Sequence, residues 1–376
     1  MRMFSLVCAL LALSGGCATH TPMPTTFVYD STLLDGVAIF GEQVEPSEQV
    51  QLLTTSPAMV EFVASEVGST GVRFIRFRRL MAALVKGGYF VDQYDRDATY
   101  TADKTFAEHK GNCLAYTNMF IALAREANID ARYQLVDTHP AWDVKSGYLV
   151  RSNHVNVVLR DAALAGTAHR NVTVDFNTFT PAPDVSRKVV GDAYAESMFY
   201  GNLAVNKLHA RDYKGAFAYL KRGILTEPRN IDLWNNLGAL MSIVDHPAHA
   251  QAAYETALQL DVENKTALSG MAKSLRQLGR FEQAERYTLL SLKYQKRNPY
   301  YHYAVAEQAF RENAYEDALD SVNRAIKLQR DNARFYVLRA ATAEELGDGV
   351  LVESSIAMAV KYGRREAAEP KPFLFN

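Results

Sequence analysis

Cysteine is scarce in this chain: 376 residues carry three, at positions 8, 17 and 113. Two of them fall in an N-terminal export segment, so no pair remains to staple the body of the chain, and its stability must come from packing. No apolar run is long enough to span a bilayer, which takes about 20 residues. A charge excess is missing too. With 41 Lys+Arg against 42 Asp+Glu and a formal net charge of −1, the basic footprint of a nucleic-acid-binding protein is absent. Histidine, cysteine and carboxylates nowhere cluster with zinc spacing, and no metal or other cofactor is implied. These absences exclude a disulfide scaffold, an integral transporter, a nucleic-acid partner and a zinc enzyme.

What is present begins with Met1-Arg2, followed by a mostly apolar stretch from Met3 to Leu13. This is the charged start and apolar middle of an export signal. It ends in Leu13-Ser14-Gly15-Gly16-Cys17, which resembles a bacterial lipoprotein cleavage site, with the large aliphatic residue displaced by one position. The resemblance implies a signal peptide over 1–16, lipidation of Cys17 and attachment to the membrane through that N-terminal lipid. Ala18 in place of Asp implies sorting to the outer membrane, facing the periplasm. Residues 17–50, with Pro22, Pro24 and a run of threonines, read as a tether and an irregular arm.

Helical patterning follows in Pro57 to Val67 and Val72 to Val85, then a turn at Gly87-Gly88. Residues 89–104, with Tyr89, Phe90, Tyr94 and Tyr100 among polar residues, read as an approach to a site rather than as a regular element. Cys113 opens the next segment. Cys113 to Ala127 lacks Gly and Pro and shows a helical apolar stripe, and Gly111-Asn112 suits a tight lead-in turn. A thiol in the first turn of a helix meets unsatisfied amides and the positive dipole end, which favour a thiolate.

A strand is expected over Ile129 to Val136, then two more over His154 to Arg160 and Asn171 to Phe176, joined as a hairpin. If Arg160 pairs with Asn171, His154 lies diagonal to Asp175 on one face. Cys113, His154 and Asp175 then form a candidate catalytic triad: nucleophile, general acid–base, and carboxylate orienting the imidazole. His109 is too near Cys113 in sequence for that role and is placed on a solvated loop, and His139 and His169 fall in loops.

Phe106, Lys110-Gly111-Asn112-Cys113 and Phe120 to Arg132 resemble the core of the transglutaminase-like superfamily, a papain-like cysteine fold that includes bacterial proteases, amidases and true transglutaminases. The resemblance covers about residues 55–180, with the cysteine domain drawn at 51–180. It implies an α+β core, a helix packed on an antiparallel sheet, and an oxyanion hole built from the Cys113 amide and an upstream donor, with Gln93 and Tyr94 as candidates. The chain departs from the family pattern at Asn112 (usually Asp), Asn156 (usually aromatic) and Phe176-Asn177 (usually Pro-Thr).

Beyond a linker at 181–196 carrying Pro181 and Pro183, small residues recur every 34 positions: Ala216, Ala250, Ala284, Ala318; Ala204, Gly238, Ala272, Ala306, Ala340; Gly223, Ala257, Ser291, Ala325, Ala359. Three registers at one period resemble tetratricopeptide repeats, five of them over 197–366 in an all-α solenoid, with a tail at 367–376. Such arrays bind extended peptides or proteins on a concave face; the tyrosines at 294, 300, 301 and 303 are read as core and turn residues. The expected whole is a periplasmic cysteine hydrolase, a protease or amidase working through a thioester, with repeats that recruit a protein substrate or partner. Two alternatives stay open: an amine-accepting acyl transferase, and a non-catalytic assembly lipoprotein.

Overall fold

The computed structural model describes residues 27–89, 94–95, 97–136, 142–145, 148–151, 154–159, 172–176, 187–368 and 373–374. Cys17, Gln93, the loop at 160–171 and the prolines at 181 and 183 lie outside the described residues.

The described part of the stretch read as a tether and irregular arm, from residue 27 on, packs against the repeats. A 3-10 turn at Ser31–Leu34, capped by Asp30, and a short helix α1 (Val37–Phe40) strap across the start of the repeats. Leu33, Leu34 and Val44 are buried in one cluster with Phe217 and Trp234, and Tyr29 lies 5.0 Å from the Trp234 ring. Lys221 Nζ donates to the Val44 carbonyl at 2.9 Å, and the Ser47 amide donates to Ala218 at 3.1 Å. The reason is apolar: phenylalanine, tyrosine, leucines and valine at these positions gain more by covering the first repeats than by staying in water. Further along, the Val50 amide donates to Tyr200 Oη at 2.8 Å and Leu52 enters the core of the next unit.

Ser56 caps α2 (Pro57–Phe62), with Pro57 in the first turn, where its missing N–H costs nothing. A π-turn at Val63–Val67 ends at Gly68. Helix α3 (Arg73–Lys86) buries Phe77, Leu80, Met81 and Leu84. Helix α4 (Ala102–Glu108), whose first turn falls in the stretch 89–104 expected to be irregular, stops at His109 with φ 53°. Helix α5 (Cys113–Glu126) buries every residue from Leu114 to Ala124, the polar Thr117 and Asn118 included; a helix buried all round belongs at the centre of a unit.

Strands β1 (Ala131–Val136), β2 (Trp142–Lys145), β3 (Tyr148–Arg151), β4 (His154–Leu159), β5 (Val172–Asp175) and β6 (Arg187–Val190) follow. Four strands of the main sheet lie in the order β6-β1-β4-β5 with antiparallel pairing, and β2 pairs with β3 separately. Val157 pairs with Val174, the register obtained by continuing from Arg160 opposite Asn171. The stretch drawn as a linker is not one over its second half: β6 is an edge strand on β1, and the first repeat helix begins at Asp192.

Five helix pairs complete the chain: α6 (Asp192–His209) with α7 (Tyr213–Thr226), α8 (Ile231–Ile243) with α9 (Pro247–Leu260), α10 (Lys265–Gln277) with α11 (Phe281–Lys296), α12 (Pro299–Arg311) with α13 (Tyr315–Leu328), and α14 (Ala333–Glu345) with α15 (Gly349–Ala368). This is the all-α solenoid expected from the 34-residue period. The period has a direct steric cause, seen at Tyr254: a Cβ at Gly238 would meet its ring at 2.7 Å, and one at Gly270 at 2.3 Å. Ala195, Phe199 and Tyr200 of α6 belong to the core of the cysteine unit, so the two halves share apolar packing. A last strand β7 (Phe373–Leu374) runs parallel to β5.

The solenoid core is not continuous. One cluster runs from the strap to Ala284, and a smaller one gathers Ala306, Val322, Ala325 and Phe335. Thr288 stands where the neighbouring repeats place Leu220, Tyr254 and Val322, while Leu289 and Leu292 stay exposed. Tyr300 and Tyr303 pack on Phe335, each 5.2 Å away, as core residues.

Candidate active site

Asn112 fixes the start of α5. Its Oδ1 accepts from the Ala115 amide at 3.0 Å, and its Nδ2 donates to Thr99 Oγ1 at 2.6 Å. An asparagine cap satisfies one of the free amides of the first turn while leaving the helix end open beside Cys113. The position where the family pattern has an acid therefore keeps the capping role without its charge. Gly111 is required by packing: a Cβ there would lie 2.6 Å from the Ala115 Cβ. Cys113 itself is partly buried and unpaired to any other sulfur.

His154 and Asp175 are brought together from neighbouring strands. The imidazole Nε2 lies 2.8 Å from Asp175 Oδ1 and 2.7 Å from Oδ2. Both side chains are withdrawn from water, with exposures of 5% and 0%. Burial by itself opposes the imidazolium, but hydrogen bonds and charge from Asp175 and from Cys113 outweigh it and push the His154 pKa up to about 10. The Cys113 side chain also hydrogen-bonds this imidazole. Cys113 stands at the start of α5, His154 at the start of β4 and Asp175 at the end of β5.

Asn156, one turn of the pleat beyond His154, donates from Nδ2 to Asp175 Oδ2 at 3.0 Å. This contact was not anticipated. The available signal was a lone carboxamide inside the run Val155, Val157, Val158, Leu159, where an apolar residue would pack without needing a partner. Asn112 as a cap was equally readable, since asparagine just before an apolar-periodic segment is a helix-start signature.

The remaining candidates divide. Gln93 lies outside the described residues. Tyr94 forms an isolated parallel bridge with Gly111, and the Asp95 amide donates to the Gly111 carbonyl at 3.1 Å, so this strand-like segment runs beside the turn that leads to Cys113. His109 lies in the turn between α4 and α5, as the C-cap of α4, and is half-buried, with its ring stacked on Tyr89 at 4.1 Å. Among the described residues no group of three or more His, Cys, Asp or Glu side chains is arranged to hold a metal ion, and no helix is long and apolar enough to cross a membrane.

A family model described as the transglutaminase-like superfamily matches residues 63–165, a span that includes Cys113 and His154 and ends before Asp175. No curated relative matches the sequence. Solved structures similar to the chain include the MamA protein (14% identity, 48% of this chain and 98% of that one, TM-score 0.26). Others are YrrB, described as a TPR protein with an unusual peptide-binding site (13%, 45% and 87%, 0.26), and Pseudomonas aeruginosa PilF (19%, 46% and 82%, 0.26). At that level of superposition they carry no argument, and the repeat architecture rests on the five helix pairs and their period. Residues 63–165 form a transglutaminase-like domain, and this chain joins it to a solenoid of tetratricopeptide-type repeats.

Proposed function

We propose that the chain is a cysteine hydrolase, a protease or amidase, tethered to the outer membrane through a lipid on Cys17 and facing the periplasm. The observation that carries the reading is the buried His154–Asp175 pair aimed at the partly exposed thiol that begins α5. An imidazolium beside a thiol at a helix N-terminus is the arrangement that stabilises a thiolate. A module kept only for binding has no use for this pair, because an apolar pair would pack there at less cost in desolvation.

In the first step the Cys113 sulfur attacks the carbonyl carbon of an amide. The C–N bond breaks as His154 gives its proton to the leaving nitrogen, and a thioester forms. In the second step His154 takes a proton from water, the hydroxide oxygen attacks the thioester, the C–S bond breaks, and the acid leaves with the thiolate restored. Asp175 holds the ring in place throughout and stabilises its cation. The Cys113 amide, freed by its place in the first turn, and a donor from the Tyr94 segment line the position of the developing oxyanion. The repeats hold the protein substrate or partner, and since the strap already covers part of the first repeats, that partner meets the later ones.

The test is turnover of p-nitrophenyl acetate by the purified protein, with intact mass recorded during the reaction. Acetylation of Cys113 with release of p-nitrophenol is expected, and both vanish in Cys113→Ala. Equal release by wild type and Cys113→Ala would overturn the proposal.

A further inference from the structure

The rung of the sheet beside the triad carries an unusual amount of buried polarity. Gln134 of β1 pairs with Asn156 of β4, and continuing the Val157–Val174 register by one residue sets Asn156 opposite Asp175 of β5. Three polar side chains, a carboxamide, a second carboxamide and a carboxylate, therefore stand side by side on the face that also holds His154. Asn156 is 1% exposed and Gln134 8%. Asn156 Nδ2 is spent on Asp175 Oδ2, while Asn156 Oδ1 and Gln134 Oε1 are buried without a hydrogen-bond partner among the described residues.

That imbalance is informative. A side chain chosen for packing at position 156 would be apolar, like Val155, Val157 and Val158 on either side, because a buried oxygen with no donor destabilises the fold. Among the described residues, the side-chain bond that Asn156 makes goes to the carboxylate beside the imidazole, and its Oδ1 has no partner. Asp175 offers both oxygens to a single ring nitrogen, within 0.1 Å of each other. A donor on Oδ2 helps to hold the plane of a carboxylate that shares one ring nitrogen between its two oxygens.

Resting on the triad reading above, we propose that Asn156 is a positioning residue that locks the Asp175 carboxylate against His154. It touches neither the thiol nor a substrate. It acts through Asp175, and the chain's departure from an aromatic residue at this position is the change that supplies the lock.

The test is the rate of Cys113 alkylation by iodoacetamide, read by peptide mass from pH 4.5 to 9, in wild type, His154→Ala, Asn156→Leu and Asn156→Asp of the full chain, with thermal unfolding of each. Asn156→Leu keeps the volume and removes the donor; its rate at pH 6 is expected to fall about tenfold, the worth of one hydrogen bond to a charged group. Asn156→Asp reports the donor directly. While its new carboxyl is protonated it gives a hydrogen to Asp175, and the rate stays near wild type. As that proton is lost two carboxylates face each other, and the rate relative to wild type drops with rising pH. A residue with only a packing role would change the unfolding temperature and leave both pH profiles parallel to wild type. Parallel profiles in a wild type whose alkylation depends on His154 would overturn this inference alone. A wild type that alkylates like His154→Ala would overturn the triad reading and this inference together.

Discussion

The two halves of the chain depend on their residues in opposite ways. In the cysteine domain, chemistry converges on one point from three elements far apart in sequence: the start of α5, the start of β4 and the end of β5. Under the proposed function, losing any one of the three side chains removes a role that its neighbours cannot restore. The repeats distribute their specification over a 34-residue period in which each helix pair contacts its neighbours. A defect there stays local, as the break in the apolar core beyond Ala284 illustrates, since the helix pairs continue on both sides of it. A convergent cluster of polar side chains and a periodic array of helix pairs thus place different demands on sequence, and this chain carries both.

The sharpest way to break the contrast is to damage the repeats and watch the thiol. Tyr254→Ala removes the buried ring held between Gly238 and Gly270 and is expected to cost about 3–5 kcal/mol of stability by denaturant unfolding. The rate of Cys113 alkylation in the folded protein should not change; a parallel fall would mean that the halves are one functional unit.

The pH dependence of stability gives a smaller effect of known sign. The His154 pKa rises on folding, to about 10, from the ordinary value near 6.5. Its contribution is therefore complete below about pH 6.5 and is lost as pH climbs through the folded value. Wild type should lose on the order of 2 kcal/mol relative to His154→Gln between pH 6.5 and 10, the size of a charged hydrogen bond. Chemical denaturation at four or five pH values measures it, and a difference that grows with pH would refute the buried imidazolium.

Asn112→Ala is the mildest change. Loss of the cap bond to Ala115 should cost about 1 kcal/mol and slow Cys113 alkylation a few-fold, because the first helical turn frays. A stability loss with an unchanged rate would separate the cap from the thiol.

Much of this was readable beforehand because it rests on local physics. The repeat period shows through in small residues spaced 34 apart, one of which, Gly238, faces the ring of Tyr254, and α5 shows through as an apolar-striped helix behind a Gly-Asn turn. The hairpin register followed from pairing Arg160 with Asn171, which sets His154 and Asp175 on one face. Three features escaped notice because they depend on distant partners. The strap at 27–52 looks irregular by itself and is ordered by Phe217 and Trp234, far along the chain. Strand β6 reads as linker until β1 offers it an edge. Asn156 looks like a mismatch among valines until Asp175 stands opposite it.

The most direct test of the account is the rate of Cys113 alkylation across pH in wild type and His154→Ala. An activated pair predicts that wild type reacts at pH 6 about a hundredfold faster than the variant, the usual worth of a positioned acid–base group, with little further gain toward pH 8. If both proteins react alike, rising with pH as a free thiol does, Cys113 is not activated by His154 and the catalytic account is wrong.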